Sequence, residues 1–173
     1  KAPIGTPLVD WIGDDVIDID VKPNRGDLLS ILGLAREVAA ITGAPLRTVE
    51  RPLAEAGSKV DDGLALEVTD AALAPRVVLR VVDGLKVAPA PDAVQMRLKA
   101  AGMRSVSNVV DATNYVMLEL GKPTHAFDRG AVGSKIIIRA AKRGERLETL
   151  DHVARDLDTA DLVVADERGA LAL

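Results

Sequence analysis

The chain has 173 residues, a formal net charge of −4 and no cysteine. Its length allows one medium domain or a domain with an appendage, and the lack of cysteine excludes disulfides and thiolate metal sites. Two histidines make a histidine metal site unexpected, and no apolar run of about eighteen residues predicts a membrane helix. With one Trp, one Tyr and one Phe there is no base-stacking platform, so any RNA contact should be local.

The first part of the sequence predicts a small strand-turn-helix unit over residues 1–47. Residues 16–21 alternate apolar and acidic side chains with the period of a half-buried strand. Residues 27–42 follow helical spacing, with Asn24 or Asp27 expected as the cap and Gly43 as a stop signal. We expect Arg25, between them, to pair with Asp27 or Asp20. Residues 48–63 mix proline, glycine and charge without a sustained period, which indicates a linker.

Residues 64–173 predict a larger domain with a mixed, mostly antiparallel sheet and flanking helices, so that the fold class is α+β. One helix is expected to start near Pro91 and end at Gly102, and another to span residues 112–120. Asp83-Gly84 is a hairpin signal between the second and third expected strands. Strands are expected at 64–68, 76–82, 85–87, 135–139, 147–150, 162–165 and 170–173.

Polar residues concentrate in one segment, residues 107–128, which reads SNVVDATNYVMLELGKPTHAFD. His125 follows a predicted helix stop, where a loop can hold an imidazole against a cleft; otherwise it is a structural histidine bound to a carbonyl or to Asp128. Thr113 and Asn114 are expected near the first turn of the preceding helix, either as site residues or as ordinary capping residues. Asp111 is the better cap candidate, which leaves the amide of Asn114 for a ligand.

Two runs of sequence resemble the β subunit of bacterial phenylalanyl-tRNA synthetase. The first is the segment just quoted, and the second is residues 20–40, DVKPNRGDLLSILGLAREVAA. The resemblance covers residues 16–173 and implies a fragment that contains the end of the B1 domain and the first part of the B3/B4 editing domain. We therefore interpret the chain as an excised piece of a longer cytoplasmic protein.

The resemblance also implies a function. The parent enzyme charges tRNA(Phe) with phenylalanine, and its editing domain hydrolyses tyrosine attached to that tRNA. By analogy, Pro123 and His125 border the editing pocket, with Thr113 and Asn114 close to the amino acid or the ribose. No catalytic residue and no metal ligand is assigned, and hydrolysis is expected to depend on the positioning of water and ester. The family's acidic residue that reads the tyrosine hydroxyl lies beyond Leu173, so we expect residues 1–173 alone to be inactive or very weak.

The parent implied by the resemblance is a heterotetramer of two α and two β subunits. ATP and magnesium act in the other subunit, so no cofactor is expected in this fragment. The alternative function is a non-catalytic scaffold or tRNA-binding module of the same subunit. DNA binding by the strand-turn-helix at residues 1–47 is disfavoured, because its acidic side chains, Asp14, Asp15, Asp18 and Asp20, outnumber Lys22 and Arg25.

Overall fold

The computed structural model describes residues 3–7, 9–10, 13–47 and 52–173. The chain divides into two compact units, each built from two segments: Lys1–Arg51 with Lys86–Ala126, and Pro52–Leu85 with Phe127–Leu173. Helices dominate the first unit and strands the second, which confirms the α+β class. The division of the sequence at residues 47 and 64 stays a prediction. In the described part of the chain no helix is both long and apolar enough to cross a membrane.

The described residues of the first unit include three helices with complete bounds. They are α1 (Ile31–Thr42), α2 (Asp92–Ala100) and α3 (Asn108–Leu120). α1 and α2 each pack against α3, and a short 3₁₀ turn, Gly26–Leu28, precedes α1. α3 is therefore the central one of these three helices.

The start of α1 differs from the sequence prediction. The 3₁₀ turn occupies residues 26–28, so the helix begins four residues later than expected. Ser30 is the cap, and its hydroxyl accepts a hydrogen bond from the amide of Gly33 at 3.0 Å. The assignment of the cap to Asn24 or Asp27 was wrong, whereas Gly43, with φ of 72°, ends the helix as expected. The strand expected at 16–21 is also absent: these residues are irregular and mostly exposed, with no strand paired to them among the described residues.

Arg25 joins the turn to α1. Its guanidinium donates to both carboxylate oxygens of Asp27, at 3.0 and 2.8 Å, and to both of Glu37, at 3.1 and 2.7 Å. These bonds lower the pKa of each carboxyl below its ordinary value. The expected pairing with Asp27 is confirmed, while Asp20 pairs with Lys22 instead. Because Glu37 lies on α1, the bidentate contacts fix the turn against the helix.

The second unit contains six strands. They are β1 (Ala65–Val68), β2 (Lys135–Ala140), β3 (Arg146–Glu148), β4 (Ala154–Asp156), β5 (Leu162–Ala165) and β6 (Ala170–Ala172). Four of them form a sheet in the order β1-β2-β5-β6, in which β1 is parallel to β2 and the other pairs are antiparallel. β3 and β4 form a separate antiparallel hairpin. The expected mixed and mostly antiparallel sheet is thus confirmed.

Alternation along β2 gives the sheet two apolar faces. Ile136 and Ile138 pack with Leu64 and Val132 on one face. Ile137 packs on the other face against a second cluster, whose buried members are Ala141, Leu147, Leu157, Val163 and Ala165. A central strand buried on both faces is expected to carry consecutive apolar residues, as β2 does at positions 136–138.

Two expected strands did not form. Residues 76–82 and 85–87 pair with no strand among the described residues, so the hairpin at Asp83-Gly84 is absent as well. The strand expected at 147–150 is β3, which ends at Glu148. β4 was not predicted, since its three residues are exposed and show no apolar alternation.

A buried ion pair connects β2 to the turn before β3. The guanidinium of Arg139 donates to both carboxylate oxygens of Glu145 at 2.7 and 2.6 Å, and the side chains are only 10% and 12% exposed. Glu145 also accepts from the amides of Lys142 at 2.8 Å and Ala170 at 3.1 Å. The bond from Arg139, more than any other contact, lowers the pKa of Glu145 to about 2.

Replacing Gly33 by alanine should destabilise the first unit. A Cβ at this position would lie 1.8 Å from the carbonyl oxygen of Asp27, so the turn and α1 must separate. Alanine gains about 1 kcal/mol in helix propensity, but overpacking against backbone costs about 1–3 kcal/mol or more. We expect a lower free energy of unfolding in urea. Gly26→Ala is the control, because nothing lies within 4 Å of its Cβ; equal stability of the two variants would contradict the close approach.

Glu145→Gln should destabilise the second unit by about 3–5 kcal/mol at neutral pH, because it leaves the buried Arg139 charge without its counter-ion. The pKa of Glu145 is depressed in the folded state, so its contribution is present above its ordinary pKa of 4.5 and is lost as the pH falls toward about 2. Urea unfolding of both proteins across this range should therefore show the difference shrinking. Asp156→Asn is the control, since it breaks the exposed pair with Arg146, which is worth about 0–1 kcal/mol.

Candidate functional site

The site predicted from the sequence lies on α3 and on the segment that follows it. Ser107 caps α3, with its hydroxyl accepting from the amide of Val110 at 3.3 Å. Asp111 was expected as the cap, which was wrong. The helix begins at Asn108, so Asp111 is inside the first turn and its side chain points into the unit, where it is fully buried.

Asp111 binds the segment that leads into α3. Its carboxylate accepts from the hydroxyl of Ser105 at 2.6 Å and from the amide of Val106 at 2.8 Å. The hydroxyl of Ser105, followed by that amide, holds the pKa of Asp111 below its ordinary value, although burial acts in the opposite direction. A buried carboxylate with several donors stays charged and fixes the groups that donate to it.

Asn108 fixes a second segment to the same helix end. Its amide nitrogen donates to the carbonyl of Lys86 at 3.0 Å, and its side-chain oxygen accepts from the amide of Ala88 at 3.2 Å. Its own backbone amide donates to the carbonyl of Ala88 at 2.7 Å. The first turn of α3 thus collects both of the segments that flank α2.

Thr113 and Asn114 lie in the second turn of α3 rather than at its amino-terminal turn, because the helix starts four residues earlier than expected. Both are half-buried. The hydroxyl of Thr113 donates to the carbonyl of Val110 at 2.7 Å, which is the local bond of a mid-helix threonine. The side-chain amide of Asn114 makes no hydrogen bond to any residue that the structure describes.

Pro123 and His125 lie in the irregular segment after α3. The helix ends at Leu120, and Gly121, with φ of 72°, donates its amide to the carbonyl of Met117 at 2.8 Å, as expected for the stop. Pro123 and His125 are both exposed, so the imidazole is not sealed in the core. Thr113 and Asn114 lie roughly 10 Å before the end of the helix at a rise of 1.5 Å per residue. That the four residues line one pocket stays a prediction.

An open depression of about 610 Å³ lies at the end of α2. Its lining includes Met96, Lys99, Met103, Arg104 and Ser105, and none of the four predicted site residues. The sequence reasoning missed this feature. The sequence does indicate a local basic surface, because residues 93–110 contain three cationic side chains and no carboxylate in a chain whose net charge is −4.

The cations of this stretch differ in their contacts. Arg97 donates to the phenolic oxygen of Tyr115 at 2.5 Å and lies 6.0 Å from the centre of its ring. Within the described residues, Lys99 and Arg104 make no ion pair, and both are exposed at the depression. No group of three or more carboxylate or imidazole side chains in the described segments is arranged to hold a metal ion.

Comparison with known proteins gives the family. The model of the B3/4 domain matches residues 73–173, more than half of the sequence. The chain therefore belongs to the B3/4 domain family.

Relatives extend this similarity over nearly the whole chain. The sequence is 46% identical over 170 residues to the phenylalanine–tRNA ligase beta subunit of Rhodopirellula baltica, covering 98% of this chain and 25% of that protein. It is 47% identical over 161 residues to the beta subunit of Moorella thermoacetica, with coverage of 92% and 20%. For Geobacillus kaustophilus the identity is 42% over 175 residues, with coverage of 99% and 22%. The chain thus spans about a fifth to a quarter of the length of these relatives, and the resemblance seen in the two motifs is confirmed.

Proposed function

We propose that this chain is the part of a phenylalanine–tRNA ligase β subunit that carries a portion of the site for hydrolysis of Tyr-tRNA(Phe). The similarity to such subunits over 92–99% of the chain supports the parent enzyme. The observation that carries the editing role is the exposed segment with Pro123 and His125, which follows directly on the helix that bears Thr113 and Asn114.

An editing site is needed because binding alone discriminates poorly between phenylalanine and tyrosine. A pocket built for the phenylalanine ring cannot strongly reject tyrosine, which only adds a hydroxyl group. A second site that forms a hydrogen bond to that hydroxyl can select it, because a site built around a polar partner rejects the analogue that lacks it. The reaction is hydrolysis of the ester that joins tyrosine to the terminal ribose.

The residues of this chain position the substrate in the proposed reaction. His125 orients the ester or the attacking water and does not itself attack, while the amide of Asn114 offers both a donor and an acceptor to the amino acid or the ribose. Positioning of this kind lowers the barrier by holding the reacting atoms close together. Residues 1–173 supply neither the nucleophile nor a metal ligand in this reaction.

In the parent enzyme, this part of the β subunit acts together with other components. The partners are tRNA(Phe) and the α subunit, in a cytoplasmic assembly of two α and two β subunits, with ATP and magnesium in the other subunit. Because the residue that reads the tyrosine hydroxyl is expected beyond Leu173, residues 1–173 alone should not clear Tyr-tRNA(Phe).

A second candidate function is a tRNA-binding module without chemistry. The basic stretch of residues 93–110 favours it, since Lys99 and Arg104 are exposed at the depression and have no carboxylate partner among the described residues. An anionic RNA backbone is attracted to such a local cluster even when the whole chain is acidic. The two candidates differ in which residues they require.

His125→Ala and Asn114→Ala, made in the full-length β subunit assembled with α, should slow the hydrolysis of Tyr-tRNA(Phe) by at least about 10-fold, because the ester or the water is no longer held in place. The rate of Phe-tRNA(Phe) formation should not change. His152→Ala is the matched control, as this second histidine is exposed in the β3–β4 turn of the other unit. Clearance of Tyr-tRNA(Phe) at the normal rate by both variants would reject the editing role, and robust clearance by residues 1–173 alone would reject the expected incompleteness.

Lys99→Gln combined with Arg104→Gln should weaken tRNA binding and lower the slope of log affinity against log salt by about 1–2, because up to two phosphate contacts are lost. Filter binding of full-length protein to tRNA(Phe) at several salt concentrations measures both quantities. Lys142→Gln with Arg143→Gln removes the same charge from an exposed turn of the second unit and is the control. An unchanged slope in the first variant would eliminate the depression as an RNA contact.

A further inference from the structure

Residues 76–82 have the burial pattern of a strand without being part of the sheet. Val77, Leu79 and Val81 are half-buried and pack against the cluster of Leu64, Val132, Ile136 and Ile138. The residues between them, at positions 76, 78, 80 and 82, are exposed. This period of two is the pattern of an extended chain lying on a core.

The peptide groups of this segment have no partners in the part of the chain that the structure describes. None of residues 76–82 donates or accepts a backbone hydrogen bond there, and no described side chain supplies one. Peptide groups of ordered segments are almost always paired, and an open row of them is a template for another strand.

The outward face of the segment also favours a covering element. Val78 and Val82 are each 67% exposed, although their neighbours along the segment are anchored in the core. Proteins usually protect an open edge with charge, proline or a short strand length. The only charges here are Arg76 and Arg80, and Arg80 is already paired with Glu55.

We propose that residues 76–82 form a β-strand that pairs with an extended segment of the same polypeptide lying outside residues 1–173. The relatives offer ample chain for this, because the sequence covers only 20–25% of their length. A segment tethered in the same polypeptide acts at a higher effective concentration than a separate chain, which favours it over a second copy at micromolar concentration. Because Val77, Leu79 and Val81 pack against the core cluster, residues 76–82 are a permanent part of the domain and not a transient docking site.

Hydrogen exchange tests this pairing and does not depend on the editing role. Mass spectrometry with peptides that cover residues 76–82 compares residues 1–173 with the full-length β subunit in its complex. We expect fast exchange in the shorter chain and exchange slower by at least about 100-fold in the full-length protein. The amides of β2, at Ile137 and Arg139, are the control, because their strand is paired on both sides and should be protected in both proteins.

Two results would overturn the proposal. One is equally fast exchange of residues 76–82 in the full-length protein. The other is protection in the shorter chain that rises with its concentration together with dimer formation by light scattering, which would identify a second copy as the partner.

Discussion

The first unit depends on the hydrogen bonds that the buried carboxylate of Asp111 accepts. The carboxylate takes two donors from the segment between α2 and α3, and it remains charged because those donors compensate for its burial. Asn108, one turn earlier, binds the segment before α2 through both its backbone and its side chain. α2, the basic depression at its end and the start of α3 are therefore held by one helix end, which also fixes the direction in which α3 carries Thr113 and Asn114.

How much of this was predictable depends on how local the determining interaction is. The stops at Gly43 and Gly121 follow from the left-handed conformation that glycine adopts easily, so they were found from the sequence. The caps were not. Serine, aspartate and asparagine are all good capping residues, and only the true start of the helix decides among them. Ser30 and Ser107 have that position, while Asp27 binds Arg25 and Asp111 is buried.

The strands and the candidate site were harder to predict, because they depend on contacts between residues that are far apart in the sequence. The strand at residues 135–139 was predicted correctly because the apolar run at positions 136–138 has few alternatives. Its pairing with β1 was not predicted, because 66 residues lie between the end of β1 and the start of β2, and no periodicity reveals such a pairing. Residues 16–21 and 76–82 have equally good alternation without a partner in the described chain. The motif around His125 identified the family, yet it did not indicate that Thr113 and Asn114 lie a full turn farther along α3 than expected.

The two runs of sequence that resemble the synthetase subunit meet in the first unit, although they are far apart along the chain. A Cβ built on Gly121 would lie 3.3 Å from the Cβ of Ser30 and 3.5 Å from the carbonyl oxygen of Leu29, so the end of α3 lies directly against the capped start of α1. That start is held in turn by Arg25, through Glu37, and by the close approach of Gly33 to Asp27. The run at residues 20–40, which carries no residue of the candidate site, thus fixes the point from which the segment with Pro123 and His125 leaves the helix. Its residues are required for the position of that segment rather than for its chemistry.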